Sequence, residues 1–201
     1  MYDQTTARTA IKRSKPSTFA VGLARDWRLH QAYPNTLLDF GCGFGRDVAY
    51  YRSHGIDAVG FDPGARFKDV AHRVDTLGQY DVVTCTYVLN TLELNGNRNV
   101  VLEQAASAVK PGGSLYICAR SRRDVEACAW RGNWEPVGLA ECGWRTGSGT
   151  YQRGYSELLL QYVLRARLQE NGLPWGVTEA YPTLNSSSVA VRWQRPERKV
   201  A

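Results

Sequence analysis

A glycine-rich turn between a strand pattern and a helix pattern is the feature that most constrains this chain. Residues 39–45 read Asp-Phe-Gly-Cys-Gly-Phe-Gly, directly after the apolar run 36–40 and before a helical pattern over 46–54. Glycines let the backbone turn tightly and approach a ligand without an intervening Cβ atom. The arrangement therefore predicts a ligand-binding turn at the carboxyl end of a parallel strand.

Short apolar runs alternate with helical patterns along the chain, which is typical of a parallel α/β sheet. A weak pattern around 73–77 is the candidate edge strand, and the last two strand patterns are close enough to form an antiparallel hairpin. The other strand patterns cover 36–40, 56–61, 80–86, 114–119, 175–181 and 187–193, and the helix patterns cover 17–29, 46–54, 97–110 and 156–170. We expect Pro111-Gly112-Gly113 to end the helix that precedes the 114–119 strand.

The length of 201 residues fits a single domain, expected over 17–194. The net charge of +6 comes from the two ends, a basic arm over 1–16 and a basic tail at 195–201 preceded by Arg192. The stretch 120–154 is rich in Arg, Trp and Gly and shows no clear periodicity, so we expect an irregular insertion there.

Several protein classes are excluded by composition. No apolar run is long enough to span a bilayer, and the N-terminus does not resemble a secretory signal. The five cysteines and three histidines are scattered, which argues against a zinc or iron–sulfur site. We therefore expect no metal, no membrane association and a cytoplasmic protein with free thiols. The sequence makes no prediction about the oligomeric state.

Asp62 stands at the end of the second strand pattern. A carboxylate at that point can accept hydrogen bonds from both hydroxyls of a ribose, which predicts an adenosine-containing ligand above the strands. The turn reads G-x-G-x-G and lacks the spacing of the dinucleotide fingerprint G-x-G-x-x-G. A nicotinamide oxidoreductase is therefore disfavoured.

The whole pattern resembles the class I S-adenosylmethionine-dependent methyltransferases. The turn with an acid two residues before its first glycine resembles their motif I, and Asp62 matches their ribose-binding acid. Further matching segments in the expected order are Tyr80-Asp-Val-Val83, Tyr87-Val-Leu-Asn90-Thr-Leu92 and Val109-Lys-Pro-Gly-Gly113. The resemblance covers roughly residues 36–193. It implies a Rossmann-like fold with a seven-stranded, mostly parallel sheet, an antiparallel C-terminal hairpin and helices on both faces.

The resemblance also implies site residues for S-adenosylmethionine and its product S-adenosylhomocysteine. Asp39 would face the amino end of the cofactor, and Asp62 would hold the ribose. Pro63, with Phe61, would lie near the adenine. The other implied cofactor positions are the backbone around Gly41, Cys42, Gly43 and Gly45, the candidate adenine ligand Asp75, and Tyr87. Tyr87 and Asn90 fall where the family places residues near the transferred methyl group, and are the catalytic candidates.

Structural alternatives remain open for several of these residues. Asp39 could cap the turn, Asn90 could satisfy the end of a helix, and Cys42 is interpreted as packing and not as a nucleophile. The resemblance implies that the insertion over 120–154 lies on the acceptor side, and its candidate substrate contacts are Tyr151, Arg153 and Trp144. Arginines beside tryptophans suit phosphates and stacked bases, yet surface ion pairs beside an aromatic cluster would produce the same pattern.

A closer resemblance concerns the methyltransferases associated with DNA phosphorothioation. It rests on Arg8-Thr-Ala-Ile-Lys-Arg13, Gly60-Phe-Asp-Pro63, Gly149-Thr-Tyr-Gln-Arg153 and the two segments 39–43 and 87–90. It implies a DNA-modification setting, so the expected acceptor is nucleic acid or a nucleotide-like molecule. The missing [DNS]-P-P-[YFW] segment and Pro-Cys pair keep a small-molecule acceptor open. A non-catalytic binding protein is the third alternative.

Overall fold

The structure is a computed structural model that describes residues 13–64, 70–71, 79–138, 142–174 and 176–197. The elements follow one another in an α/β order. The strands are β1 (Thr36–Phe40), β2 (Asp57–Phe61), β3 (Val70–Ala71), β4 (Tyr80–Thr86), β5 (Val109–Arg120), β6 (Glu135–Val137), β7 (Gly143–Arg145), β8 (Tyr151–Arg153), β9 (Val177–Tyr181) and β10 (Ser188–Gln194). The helices are α1 (Thr18–His30), α2 (Arg46–Arg52), α3 (Asn95–Ser107), α4 (Arg122–Gly132) and α5 (Glu157–Glu170), with a 3₁₀ turn at Leu89–Thr91.

The main sheet confirms the predicted fold class. Over the described residues it has seven strands in the order β3-β2-β1-β4-β5-β10-β9, and β10 runs antiparallel to both of its neighbours. The chain order reverses between β1 and β4, which pair in parallel. Ligands of open α/β sheets bind at such a reversal, beyond the carboxyl ends of the strands. The site is therefore expected above β1, β2 and β4.

Two apolar layers cover the sheet. On one face, α1 and α2 pack through Phe19, Leu23, Trp27 and Tyr51, all 5% exposed or less. On the other face, α3 and α5 contribute Val101, Leu102, Leu160 and Leu164, and the large side chain of Trp193 on β10 is fully buried there. Because both faces are buried, the parallel strands are nearly continuous apolar runs, which is why they could be found from the sequence.

The expected end of the helix before β5 is corrected by the structure. Helix α3 covers Asn95–Ser107, and the strand already begins at Val109, so Pro111–Gly113 lie inside it. Tyr80 pairs with Val109 and Val82 pairs with Ser114, so the intervening residues of β5 form a bulge. Proline lacks the amide hydrogen that a regular ladder needs, and Gly112 adopts φ +79°, which a bulge accommodates.

The expectation of an irregular segment over 120–154 is also wrong. Helix α4 covers Arg122–Gly132, and β6, β7 and β8 form a second antiparallel sheet, called here the small sheet, with three strands among the described residues. Strands this short carry too few residues for alternation to be visible. Strand β8 packs against the 3₁₀ turn after β4 and against α4. The small sheet therefore lies beside the segment that follows the carboxyl end of β4.

Four predictions fall wholly or partly outside the described residues. The structure places an edge strand at β3, while the predicted edge strand at 73–77 and Asp75 lie outside the described part of the chain. Most of the arm and the end of the tail lie outside it as well. In the described part of the chain, no helix has the length and apolar character needed to cross a membrane.

Candidate active site

The glycine turn is held against the end of β2 by backbone hydrogen bonds. The amides of Gly41 and Cys42 both donate to the carbonyl of Phe61, at 2.7 and 3.1 Å. Gly41, Gly43 and Gly45 have φ values of +80°, +51° and +67°. L-residues with a side chain rarely adopt this region, so the turn requires glycine for its conformation. The sequence prediction of a tight turn at the carboxyl end of β1 is confirmed by this geometry.

One side of the turn is closed and the other is open. A Cβ atom at Gly41 would lie 2.3 Å from Cγ2 of Val88, in the segment after β4. At Gly45, in contrast, an added Cβ would meet no atom of the described residues within 4 Å. The missing side chain at Gly41 therefore lets the turn approach Val88, whereas the missing side chain at Gly45 serves the backbone conformation.

Asp62 reaches back from the end of β2 to the glycine turn. Its Oδ2 accepts a hydrogen bond from the amide of Gly43 at 2.8 Å, and its Oδ1 accepts from the amide of Gly64 at 2.8 Å. Pro63 beside it is exposed, whereas the ring of Phe61 is buried against Phe40, with ring centroids 4.7 Å apart. The carboxylate is thus half-buried beside the turn, and of the two predicted adenine neighbours only Pro63 has an exposed side chain.

Asp39 is a buried carboxyl group below the turn. It is 3% exposed, and its Oδ1 accepts a hydrogen bond from the Thr84 hydroxyl at 2.9 Å. Burial, followed by the nearby charge of Asp47, raises the pKa of Asp39 to about 8, while the Thr84 bond and Arg13 oppose the rise. Burial, followed by the charge of Asp39, raises the pKa values of Tyr51, Cys85 and Cys42. The charge of Asp62 adds a smaller increase to the pKa of Asp39.

Asp47 is a site residue that the sequence analysis missed. It lies in the first turn of α2 and is 2% exposed. Its carboxylate accepts hydrogen bonds from the Ser17 amide and the Ser17 hydroxyl, both at 2.7 Å, and forms an ion pair with Arg13 at 3.3 Å. The start of α1 is therefore fastened beside the glycine turn. The acidic residue in a helix first turn was visible in the sequence, but its partners are about thirty residues away.

Ser17→Ala is expected to lower the free energy of unfolding by about 2 kcal/mol, because it removes the N-cap of α1 and one bond to a buried carboxylate. The Ser17 hydroxyl accepts from the Ala20 amide at 3.0 Å and donates to Asp47. Chemical denaturation measures the change. Ser14→Ala is the matched control, since Ser14 is exposed. Equal stability of the two variants would contradict a fastening role for Ser17.

Three buried cysteines and Tyr87 are poor bases or nucleophiles at neutral pH. Burial raises the pKa of the thiols of Cys42, Cys85 and Cys118 above the ordinary range, and burial also raises the pKa of Tyr87. The Cys42 sulfur packs against Gly60, where an added Cβ would lie 2.7 Å from it. This contact supports the interpretation of Cys42 as a packing residue.

Tyr87 has an unusual backbone conformation and an inward side chain. Its φ is +60°, and its amide donates to the carbonyl of Cys118 at 2.7 Å. The phenol interacts with Ser188, Thr18 and Cys118 and packs on the α1 side of the sheet. A role near the transferred methyl group stays a prediction for this residue.

Asn90 lies in the 3₁₀ turn and is 2% exposed. Its Nδ2 donates to Oε1 of Gln152 on β8 at 3.1 Å, and the same oxygen accepts from Nη1 of Arg120 at 3.4 Å. Asn90 Oδ1 accepts no hydrogen bond from any residue in the described part of the chain. The structure therefore brings Asn90 against the small sheet through Gln152, a contact that sequence reasoning did not find.

The candidate substrate contacts on the small sheet fall on both of its faces. Tyr151 and Arg153 are buried, at 5% and 8% exposed, and Arg153 stacks over the ring of Tyr155 at 5.1 Å. Gln152 lies between them on the opposite face, directly across from Trp144 on β7. A role of Tyr151, Arg153 or Trp144 in substrate binding stays a prediction.

The surroundings of the glycine turn fit a cationic adenosine cofactor. The turn leaves open space at Gly45, and the carboxyl groups of Asp39, Asp47 and Asp62 lie around it. Carboxylates repel a pyrophosphate, and a nearby cation favours ionisation of Asp39, whose pKa is about 8, so the site favours a ligand with an ammonium group and a sulfonium. Among the described residues, no group of acidic, histidine or cysteine side chains is arranged to hold a metal ion.

Comparisons with known proteins agree with this fit. A family model described as a methyltransferase domain matches residues 13–171. The ubiquinone biosynthesis O-methyltransferase of Shewanella pealeana is 32% identical over 106 residues, which is 43% of this chain and 44% of that protein. The chain thus matches less than half the length of this curated relative.

Solved structures share the fold at low sequence identity. The 1,6-didemethyltoxoflavin-N1-methyltransferase of Burkholderia thailandensis, solved with its namesake compound and S-adenosylhomocysteine, is 16% identical with a TM-score of 0.59, over 89% of this chain and 78% of that one. The N-methyltransferase NodS of Bradyrhizobium japonicum, solved with S-adenosylhomocysteine, is 15% identical with a TM-score of 0.56, over 97% of this chain and 100% of that one. The family match over most of the chain, together with the fold and the glycine turn, shows that this chain belongs to the methyltransferase domain family and is a class I S-adenosylmethionine-dependent methyltransferase by fold.

Proposed function

We propose that this chain transfers a methyl group from S-adenosylmethionine to a small, neutral acceptor. The observation that carries the cofactor assignment is the glycine turn with the carboxyl groups of Asp39, Asp47 and Asp62 around it. In this proposal Asp62 holds the ribose and Asp39 faces the ammonium end. The turn backbone at Gly41 and Gly43 passes along the methionine part.

When bound, S-adenosylmethionine supplies an electrophilic methyl group: the acceptor heteroatom bonds to the methyl carbon, the methyl–sulfur bond breaks with its electron pair left on sulfur, and S-adenosylhomocysteine and a proton are released. The task of the protein is to align the acceptor and exclude water. The raised pKa values of Tyr87 and Cys118 make these side chains unsuitable as bases at neutral pH. The acceptor proton therefore passes to solvent in this proposal.

Ion pairs among the arginines favour a small neutral acceptor over nucleic acid. Arg120 pairs with Asp124 at 2.7 Å, Arg122 with Glu126 at 2.7 Å and Arg145 with Glu93 at 2.7 Å. Arginines already paired with carboxylates have less to offer a phosphate backbone, which is the main source of affinity for nucleic acid. These ion pairs thus support the alternative in which the arginines of the stretch 120–154 form surface ion pairs and do not contact phosphates.

The names of the matched relatives point the same way. The Shewanella relative is named for ubiquinone biosynthesis, and the Burkholderia structure contains a small heteroaromatic compound. None of the descriptions of these relatives mentions DNA. A nucleic-acid acceptor in a DNA-phosphorothioation setting remains the second candidate, carried by the sequence resemblance and by the basic ends. Retention on DNA that weakens steeply with salt would favour it.

Asp62→Ala is expected to weaken the binding of S-adenosylmethionine and S-adenosylhomocysteine by at least about tenfold, or ~1.4 kcal/mol, because the ribose loses its carboxylate and the Gly43 amide loses its acceptor. Calorimetric titration of both ligands into the purified protein measures the change. Asp57→Ala is the matched control, since Asp57 is exposed at the start of the same strand. Equal affinities of the wild type and Asp62→Ala for these ligands would contradict the ribose-binding role of Asp62. If the wild type binds neither ligand, the chain is a non-catalytic assembly protein with a methyltransferase fold.

A further inference from the structure

The orientation of the Asn90 amide can be deduced from its neighbours. An arginine side chain has only hydrogen-bond donors, so the Gln152 atom that faces Nη1 of Arg120 must be the amide oxygen. The same oxygen lies 3.1 Å from the Asn90 amide, so the Asn90 atom facing it must be the nitrogen. The second polar atom of Asn90 is therefore an oxygen, and Arg120 determines this through Gln152.

Asn90 Oδ1 is a buried acceptor without a donor among the described residues. Leaving such an atom unpaired costs about 1–3 kcal/mol, which makes it a natural contact for a bound ligand. Asn90 follows β4 directly, at the edge of the sheet where ligands of this fold bind, and it is only two residues from Val88, which contacts the glycine turn.

Trp144 supplies the complementary group. It pairs directly with Gln152 across β7 and β8, and directly opposed residues of an antiparallel pair lie on the same face of a sheet. Its Nε1 is buried and donates to no residue in the described ranges. An indole nitrogen can only donate. Gln152 thus contacts Asn90, which has an unpaired acceptor, and is opposite Trp144, which has an unpaired donor, among the described residues.

We propose that Asn90 and Trp144 recognise the methyl acceptor, and that Gln152 is the residue that positions Asn90 for this role. The recognised molecule carries a hydrogen-bond donor beside a hydrogen-bond acceptor, as a cyclic amide or a hydroxy-carbonyl compound does. This recognition proposal rests on the proposed function and specifies the class of acceptor for it.

The charges nearby indicate a neutral ligand. The guanidinium of Arg120 already donates to Asp124 at 2.7 Å and to the Cys128 sulfur at 3.0 Å, in addition to Gln152, and it lies over the ring of Trp134. An arginine so engaged orients Gln152 and offers no ion pair to an anionic acceptor. The recognition groups themselves, an amide and an indole, do not titrate near neutral pH.

A pair of probes that differ in a single donor tests this proposal. We would titrate 2-pyridone and N-methyl-2-pyridone into the ¹⁵N-labelled protein saturated with S-adenosylhomocysteine, and follow the indole N–H signals of its six tryptophans. Trp144→Phe assigns the relevant signal. We expect 2-pyridone to move the Trp144 signal and to bind at least about tenfold more tightly than its N-methyl analogue, which has no donor for Asn90.

Variants separate positioning from simple stability. Asn90→Leu should abolish the discrimination between the two probes. Gln152→Leu should reduce the discrimination because the Asn90 amide can then rotate, while Gln152→Glu should retain it, since an oxygen still faces both Arg120 and Asn90. Gln152 is only half-buried, so its variants keep the test valid if Asn90→Leu does not fold.

The outcomes distinguish this proposal from the proposed function. Equal binding of both pyridones by the wild type, or a shift confined to another tryptophan, would overturn the recognition site even if S-adenosylhomocysteine binds. Discrimination by the wild type that is reduced in Gln152→Leu and retained in Gln152→Glu supports the site. If that discrimination also occurs in protein without S-adenosylhomocysteine while calorimetry detects no cofactor binding, the recognition site stands and the methyl-transfer proposal fails.

Discussion

Gly41→Ala is expected to lower the free energy of unfolding by about 3 kcal/mol and to weaken cofactor binding by more than about tenfold. Two costs combine at this position. The backbone has φ +80°, where a residue with a side chain is strained, and the new methyl group would lie 2.3 Å from Cγ2 of Val88. The turn must then move away from Val88, and its amides move with it.

Gly45→Ala is the matched control for this prediction. Its φ is +67°, similar to that of Gly41, but the added Cβ would meet no described atom within 4 Å. Gly45→Ala should lower the free energy of unfolding by only about 1–2 kcal/mol, through backbone strain alone. In Gly41→Ala combined with Val88→Ala, part of the lost stability should return, because the second change makes room for the first. Chemical denaturation and calorimetry of the three variants measure both effects, and equal costs at Gly41 and Gly45 would show that the contact with Val88 is unimportant.

Asp39→Asn is expected to stabilise the protein without ligand at pH 8 and to weaken its binding of S-adenosylmethionine. Burial raises the pKa of Asp39 to about 8 in the folded protein, well above its ordinary value. Below the ordinary value both the folded and the unfolded chain carry the proton. As the pH rises from there to about 8, only the unfolded chain releases it, so the free energy of unfolding falls.

Asparagine removes this penalty while keeping an oxygen for the Thr84 hydroxyl, which donates to Asp39 at 2.9 Å. The stability advantage of Asp39→Asn over wild type should therefore grow between about pH 5 and about pH 8. Thermal unfolding at several pH values measures it. A variant that is destabilised equally at both ends of this range would contradict a buried, protonated carboxyl group.

The cofactor part of the same prediction follows from charge. A cationic ligand near Asp39 favours the ionised carboxylate, so binding should release a proton and strengthen as the pH rises towards 8. Calorimetry in phosphate and in Tris detects the released proton, because the two buffers differ in their heats of protonation. In Asp39→Asn the proton release should disappear together with the pH dependence. Proton release that persists in the variant would assign it to another group.

Much of the fold was predictable because its signals are local. The strands β1, β2 and β4 are nearly continuous apolar runs. The N-caps Ser17 and Ser156 precede their helices, and each accepts a hydrogen bond from a backbone amide in the first turn. The glycine turn was also readable, because a positive φ at Gly41, Gly43 and Gly45 selects glycine whatever the rest of the chain does.

The small sheet and the bulge in β5 were not predictable from such signals. Each strand of the small sheet has only three residues, and a run this short has no measurable period. It is stabilised by packing on the 3₁₀ turn and on α4, which the local sequence does not reveal. The stretch 120–154 was predicted to be irregular because strands this short show no periodic pattern.

The sequence alone determined the class of the protein: the order of its strands and helices, the glycine turn and the acid at the end of β2. These depend on local backbone preferences and on apolar runs. The tertiary structure alone decided which polar groups meet. Asp47 accepts hydrogen bonds from Ser17, and Asn90 donates a hydrogen bond to Gln152, which lies 62 residues further along the chain. Hydrogen bonds between such distant residues leave no periodic trace in a sequence, because they depend on how the elements pack and not on how each one forms.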